Sequence, residues 1–475
     1  MYNEVPITDK KPSSRWLGKS TFNWYIYYCS FAAIWLTIAG TVSLIWISPM
    51  ISILQSNDPN INPLGKPIST IHLSVLTSVS FLSPLLTTPT IGKISDKFGR
   101  KNSMIFSATL TALSYLTIAF VPNFYIYCIC RLITGVAKDY ILVNCSIYSN
   151  EITEPSKRGR FGLYFTLAYP LGYLYGYVIG AYAAFRLFNI LCSLPAVVHL
   201  LLCAFITDSP VALALKGKRT KALRALEKLR DSGQEKDLEL ELSAILREVK
   251  SKAENSSFQL KNLWNNAASR KALLLGLVVT FSEKCCGINF VLPFSADCFN
   301  RLNLSGNTVN ILIAVIQFFG FLFSACIVNK VGKKRLMISS MIVCILSMLS
   351  MGCYLFLHSK QIVSSNLDWL SVVCVLVFMT GYSTGLGCVE LSILCELFPT
   401  QFRALGVTLA VTAGVLISFI SLFAFPIVRE RFGEYPVLWF YGLINSVFLI
   451  IVYFKLPETT GKSFEKIQNL LEENK

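Results

Sequence analysis

Charge is scarce in this chain. Only 15% of its 475 residues are Asp, Glu, Lys or Arg, against 53% apolar residues, and the mean hydropathy is +0.55. That balance excludes an ordinary water-soluble globular domain. Histidine is scarcer still: His72, His199 and His358 are too scattered for ligand spacing. With no metal cluster and no nucleophile–base arrangement legible, neither a resident cofactor nor an enzyme is expected. Cysteine is not scarce, at fifteen residues, but Cys145, Cys203, Cys285, Cys286, Cys395 and the rest lie almost entirely within apolar stretches. They read as small buried side chains rather than a disulfide framework. No short charged-then-apolar leader with a cleavage site is apparent, so the first apolar stretch is expected to be retained.

What the chain does have is long apolar runs. About 20 apolar residues cross the hydrocarbon core as a helix. Twelve such stretches are legible, at 22–50, 71–92, 103–122, 124–149, 159–183, 187–208, 271–299, 308–328, 334–358, 369–397, 404–428 and 435–456. They predict an all-helical membrane protein of two six-helix bundles, 22–208 and 271–456, flanked by tails 1–21 and 457–475. The net charge of +16 raises the question of nucleic acid, but its placement answers otherwise. Basic residues crowd the N-terminal tail, the 2–3, 4–5 and 8–9 loops and the 209–271 segment. By the positive-inside rule both tails and that segment face the cytoplasm. Within 209–270, Ala222, Leu223, Leu226 and Leu229, then Leu238, Leu242, Ile245, Leu246 and Val249, recur at helical spacing. Two or three amphipathic helices linking the bundles are expected, either as a solvated connector or as a latch beneath both.

The two bundles repeat a signature. Gly92-Lys93-Ile94-Ser95-Asp96-Lys97-Phe98-Gly99-Arg100-Lys101 follows the second stretch, and Asn329-Lys330-Val331-Gly332-Lys333-Lys334-Arg335 follows the second stretch of the C-terminal half. Glu151 and Arg158, then Glu396 and Arg403, stand seven positions apart in both halves. Two halves built alike, each of membrane spans, is the plan of a secondary transporter with its site between them. Asp96 is placed to accept hydrogen bonds near a helix N-terminus. Arg100, Lys101, Arg158 and Arg403 are placed to bridge to Glu151 and Glu396 across helix ends.

Taken in order, these elements resemble the sugar porter family of the major facilitator superfamily, nearest to animal glucose facilitators and insect-type facilitated trehalose transporters. Beyond the signatures the resemblance rests on Trp46-Ile47-Ser48-Pro49, Arg131 to Gly135, Tyr148-Ser149-Asn150-Glu151 and Lys157-Arg158-Gly159. It continues through Asp208-Ser209-Pro210, Lys216-Gly217-Lys218, Gly287-Ile288-Asn289, Glu396-Leu397-Phe398-Pro399 and Pro457-Glu458-Thr459-Thr460-Gly461-Lys462-Ser463. The resemblance implies that Asp96, Arg100, Glu151, Arg158, Glu396 and Arg403 gate the cytoplasmic side. Asn329 departs from the family's second signature, which carries an acid there, so a weaker or asymmetric closure of the C-terminal half is expected. It also implies a central sugar site on spans five, seven, eight, ten and eleven.

Position by position, that site keeps Asn289 and has Gln317 for an asparagine. It departs elsewhere: Thr166 stands for a glutamine, Glu283 and Lys284 for two glutamines, and Pro293 and Phe294 for two aromatics. Cys388, Glu390 and Leu391 replace two prolines and a tryptophan, while Gly414 and Val415 replace Asn-Trp. Each ionised group at membrane depth costs about 2.5–3.5 kcal/mol on insertion scales, so Glu283, Lys284, Glu390, Lys138 and Asp139 each need a partner, water or a function. A Lys284–Glu390 pair is the plain expectation. Glu283 and Lys284, about 100° apart on a helix, are not expected to pair.

Residues 22–50 carry no acid, which favours downhill transport over proton coupling. Tyr164, Tyr169, Tyr173, Tyr175 and Tyr177 crowd span five, with Tyr169, Tyr173 and, less closely, Tyr177 on one face as packing or stacking surface. The expected solute is a sugar, hexose or disaccharide such as trehalose, moved by alternating access in the plasma membrane. The alternatives are a carrier of a charged or zwitterionic small organic solute and a non-transporting solute sensor of the same fold. The implied partners are the solute and the bilayer, with no nucleic acid and no obligate protein. Asn303-Leu304-Ser305, in an outer loop, is a candidate glycosylation acceptor.

Overall fold

The computed structural model describes residues 23–154, 157–230, 235–254, 267–302, 304–363, 367–398 and 403–462. Candidate acceptor Asn303, most of both tails and the end of the middle segment lie outside them. Every regular element among the described residues is helical. In chain order these are α1 (Trp24–Ile45), α2 (Ile47–Leu54), α3 (Thr70–Ser78), a 3₁₀ turn (Val79–Leu82), α4 (Ser83–Thr87), α5 (Ile91–Phe98), α6 (Arg100–Phe120), α7 (Phe124–Ile152), α8 (Arg158–Tyr182) and α9 (Phe185–Cys203). The middle segment forms α10 (Pro210–Leu215), α11 (Arg219–Leu229) and α12 (Glu235–Glu254). Then follow α13 (Ala267–Lys284), α14 (Ile288–Arg301), α15 (Gly306–Val331), α16 (Lys333–Ser359), α17 (Trp369–Thr384), α18 (Leu386–Leu397), α19 (Arg403–Phe432) and α20 (Tyr435–Lys455).

Ten helical stretches among the described residues are long and apolar enough to cross a membrane. Two of the expected twelve, now α7 and α8, are not in that set, although their 29 and 25 residues exceed the length needed. Their polar content is the reason. Helix α7 carries Arg131, Lys138 and Asp139, and α8 carries the five tyrosines. The polar side chains of α7 turn inward: Arg131 is fully buried and Lys138 nearly so. Arg131 donates to the Ser43 carbonyl at 2.7 Å and to the Ser80 hydroxyl at 3.2 Å, with its guanidinium over the Trp46 ring. Asp139 accepts from the Ser83 and Thr87 hydroxyls at 2.6 and 2.9 Å and pairs with Lys138 at 3.2 Å. These ionic groups thus hold the second span where its helix breaks between Ser78 and Ile91.

Other breaks fall where the sequence suggests unbroken runs. The seventh span divides between α13 and α14 at Gly287, whose φ of 113° suits a residue without Cβ and whose missing side chain leaves room for the Met348 sulfur. The tenth divides at Gly385, where Ser340 of α16 donates to the Gly381 carbonyl and accepts from the Leu386 N–H. A break at membrane depth is tolerated when a neighbour satisfies the freed backbone in this way.

The apolar core divides along the chain's long axis. One cluster joins Val42, Trp46, Met50, Leu54, Tyr115, Tyr127 and Phe188 of the N-terminal helices to Phe290, Phe294, Phe299, Ile313 and Phe425 of the C-terminal ones. Another, holding Ile26, Leu36, Met104, Ile141, Tyr148 and Ile152, is built from N-terminal residues alone and lies toward the end that bears the first signature. The two groups of helices are therefore welded by apolar contact at the end opposite the signatures. In the middle segment Ala222 and Leu226 of α11 pack on Leu238 and Leu242 of α12, as their spacing suggests.

Candidate functional site

Polar residues gather where the helix groups face each other at mid-span. Asn289 opens the first turn of α14 just after the break. Its amide donates to the Lys284 carbonyl at 2.8 Å and to the Ser418 hydroxyl of α19 at 3.2 Å. Gln317 of α15 is 2% exposed, and its Oε1 has no hydrogen-bond partner among the described residues. A buried amide oxygen left unmatched costs on the order of 1–3 kcal/mol, which a donor supplied from outside the chain would recover. Facing α15, Tyr173 and Tyr177 of α8 pack with Ile45 and Ala314, and the Tyr177 hydroxyl donates to the Leu292 carbonyl at 2.8 Å. Thr166 contributes less than its position suggests, because its hydroxyl is spent on the Gly162 carbonyl of its own helix.

The ionisable residues arrange themselves differently from expectation. Lys284 pairs with its neighbour Glu283, and Glu283 also accepts from the Tyr382 hydroxyl at 2.6 Å. Adjacent residues pair here because Lys284 is the last residue of α13, and its flexible stem folds back toward the carboxylate that Tyr382 holds in place. Lys284 and Glu390 do not come within ion-pair distance, although they lie near enough for their charges to interact. Glu390, half-buried on α18, makes none among the described residues. When ionised, the three groups sum to a net charge of −1, and that surplus is on Glu390.

At the signature end the geometry is tighter. Gly99 (φ 87°) and Gly332 (φ 93°) each turn the chain abruptly into the next helix, a backbone conformation that side chains other than glycine resist. Arg100, 5% exposed, then donates through Nη1 to Asp96 at 2.6 Å and Ser95 at 2.7 Å, and through Nη2 to Glu151 at 3.0 Å. Asp96, Arg100 and Glu151 are thus brought together. Arg158 is not: it is exposed, at the start of α8, and forms no ion pair among the described residues. In the second half Lys333 takes the place of Arg100 and pairs with Glu396. Arg403 opens α19, partly buried.

Sequence reasoning missed Lys333 as the partner of Glu396, although aligning Gly332 with Gly99 puts Lys333 opposite Arg100. It also missed two carboxylates that cap helices. Asp208 accepts from the Lys101 N–H at 3.2 Å, and Glu458 accepts from the Lys333 N–H at 3.1 Å. Each sits where a Cβ on the preceding glycine would strike it. Burial alone would raise the Glu458 carboxyl, but hydrogen bonds from the Thr460 hydroxyl and N–H and from the Lys334 and Lys333 N–H groups outweigh it and hold the group below its usual range.

Hydrogen bonds between the helix groups lie toward the opposite end and the middle. Asn310 of α15 donates to the Ser48 hydroxyl at 2.9 Å while accepting from Ser295 at 2.7 Å. Nearer the middle, Thr77 reaches the Leu422 carbonyl at 3.4 Å and Thr88 meets Thr412 at 3.0 Å.

Comparison with known proteins agrees with this architecture. The chain is 26% identical over 382 residues to the facilitated trehalose transporter Tret1 of Polypedilum vanderplanki, covering 79% of this chain and 75% of that one. The Tret1 of Drosophila mojavensis is longer, and the match spans 44% of it. The putative metabolite transport protein YwtG of Bacillus subtilis is 29% identical, with 81% and 83% covered. Among solved structures, the xylose transporter XylE from E. coli in a partially occluded inward-open conformation superposes with a TM-score of 0.76 at 19% identity, over 93% of this chain and all of that one. These relatives are transporters rather than enzymes. Since the model of the "Sugar (and other) transporter" family matches residues 20–471, nearly end to end, the chain belongs to that family.

Proposed function

We propose that this protein carries a neutral sugar, a hexose or a disaccharide such as trehalose, down its gradient across the plasma membrane by alternating access. The observation that carries the reading is the buried Asn289–Ser418 pair together with Gln317, which lies one turn from the Ala314 that packs on Tyr173 and Tyr177. A sugar entering a membrane-depth pocket gives up hydrogen bonds to water. It needs amides and hydroxyls in exchange, with apolar or aromatic surface for its ring faces. Gln317 Oε1 is one acceptor already desolvated and unmatched among the described residues.

In this reading α7 and α8 also cross the bilayer, giving twelve spans in two six-helix bundles. Residues 209–270 form a cytoplasmic link, and both tails lie on that side. The apolar weld and the Asn310–Ser48 bond then close the outer face, leaving the site to communicate with the cytoplasm. Rocking to the other state opens that weld and brings the signature ends together. There Asp96, Arg100, Glu151, Arg158, Glu396 and Arg403 form the inner gate. The solute shifts the equilibrium only by binding one state better than the other. A site that opens to both sides with similar affinity gives facilitated passage.

A second reading is favoured by one observation, the surplus negative charge of the Glu283–Lys284–Glu390 cluster. It suits a charged or zwitterionic organic solute whose cationic group meets Glu390. Uptake into vesicles loaded with purified protein separates the two. The sugar reading expects saturable exchange of hexoses or trehalose without a pH gradient, lowered roughly tenfold or more by Asn289→Ala, the loss of about one to two hydrogen bonds. Uptake of charged solutes alone, abolished by Glu390→Gln, would replace it with the second reading.

A further inference from the structure

At the first-signature end an open cleft of about 430 Å³ lies between the membrane helices and the middle segment. Its walls come from the start of α1 (Tyr25), the start of α6 (Lys101), the 204–208 turn after α9, and α11. Lys221, Arg224 and Lys228 of α11 line it at i, i+3 and i+7, so one face of that helix points three cations into the space. All three are exposed, and none has an ion-pair partner among the described residues. The single acid in the wall does not answer them. Asp208 is already engaged by the Lys101 and Ser209 N–H groups at 3.2 and 3.0 Å and faces Lys216 at 3.6 Å. Nor does the N-terminal tail supply counter-charge, since residues 1–22 hold four cations (Lys10, Lys11, Arg15, Lys19) against Glu4 and Asp9.

Three converging cations beside Lys101 select an anion with several oxygens, and arginine among them suits phosphate. The surroundings narrow the source. Phe205, 74% exposed, lines the cleft, and Trp24 and Leu201, 66% and 68% exposed, continue an apolar surface from its mouth along the outer faces of α1 and α9. A ligand that fits both parts has a polyanionic head and an apolar body.

We propose that this cleft binds the phosphorylated headgroup of an anionic membrane lipid, with its acyl chains lying against α1 and α9. Basic pockets beside membrane helices recognise such headgroups through the same charge complementarity. Because the cleft joins α11 to the end of the N-terminal helices, an occupied site pins the middle segment against them. The inference goes beyond transport of a solute and does not depend on which solute that is.

The test uses the full chain in nanodiscs of phosphatidylcholine, titrated with fluorescent phosphatidylinositol 4,5-bisphosphate. Saturable binding is expected, weakened on the order of a hundredfold in the triple variant Lys221→Gln, Arg224→Gln, Lys228→Gln. A control that removes as much charge from the same end, Lys97→Gln with Arg160→Gln and Arg247→Gln at exposed positions, is expected to change binding less than about threefold, the scale of screened, unfocused charge. Soluble inositol 1,4,5-trisphosphate reports on the head alone and is expected to compete weakly. Equal weakening in both triple variants would overturn the site. Tight binding of the soluble head with no binding of the lipid would overturn the membrane source.

Discussion

The two signature ends perform the same task with different chemistry. In the N-terminal half a planar guanidinium reaches Asp96, Ser95 and Glu151 at once. In the C-terminal half a lysine pairs with Glu396, and the position matching Asp96 is Asn329. Both are built on a positive-φ glycine and a distant capping carboxylate, Asp208 or Glu458, so the backbone frame is shared while the ionic content is not. An arginine fork holds several acceptors in a fixed geometry, whereas a lysine is a point charge on a flexible stem. The lesson is that pseudo-symmetry fixes where a latch sits, and side-chain chemistry sets how firmly it holds.

The largest test of that difference removes each cation. Arg100→Ala leaves the largely buried Glu151 carboxylate without its partner, with the exposed Asp96 losing one as well, and is expected to destabilise the protein by about 3 kcal/mol. Lys333→Ala strands only Glu396, which is 30% exposed, and is expected to cost about 1 kcal/mol. Thermal unfolding in one detergent compares them directly. Equal losses would erase the asymmetry.

A smaller effect is expected at the caps. Glu458→Gln keeps the acceptor oxygen but removes the charge at the α16 N-terminus, costing about 0.5–1 kcal/mol. The sign with pH follows from the lowered carboxyl. Because the folded protein holds Glu458 below its ordinary value, the contribution is complete above that ordinary value near 4.3 and is lost as pH falls through the folded one. Wild type and Glu458→Gln are therefore expected to differ in unfolding temperature at pH 7 and to converge on acidification below about pH 4. A difference that stayed constant across this range would show that the charge is not what caps the helix.

How much of this was legible in the sequence depends on the physics each feature obeys. Span positions were, because the bilayer demands a run of apolar residues that composition displays directly; Gly306–Val331 and Lys333–Ser359 fall close to the stretches read from hydropathy. The breaks at Ser78–Ile91 and Gly385 were not, since hydropathy records transfer energy and says nothing of dihedral angles. Asn289 and Gln317 were named by position-by-position resemblance to the family, since nothing in a lone apolar run tells which amide faces a solute. Lys284 was found, but its partner was not. Helical phase counts only the direction of Cβ, and Lys284 reaches Glu283 with four further carbons at a helix end. Asp208 and Glu458 were hidden for another reason: each caps a helix more than 100 residues away, and no local pattern encodes a contact of that range.

The finest test tries to convert one latch into the other. Asn329→Asp restores the acid that the second half lacks, at the position matching Asp96, which pairs with Arg100 four residues on. Alone, beside a lysine already paired with Glu396, the new carboxylate is expected to add no more than about 0.3–0.5 kcal/mol, the worth of an exposed i,i+4 pair. With Lys333→Arg it gains a fork that reaches both acids, so the double variant should exceed the sum of the single ones by about 0.5 kcal/mol or more. Thermal unfolding of the four proteins in the cycle measures that coupling. A coupling within error of zero would mean that the frame around Gly332 does not admit the arrangement seen around Gly99. The asymmetry would then belong to the backbone rather than to the choice of side chain. If the coupling appears, the pair it strengthens is one already formed within the C-terminal half in the conformation described here, so a slowing of transport would show that rocking has to break it.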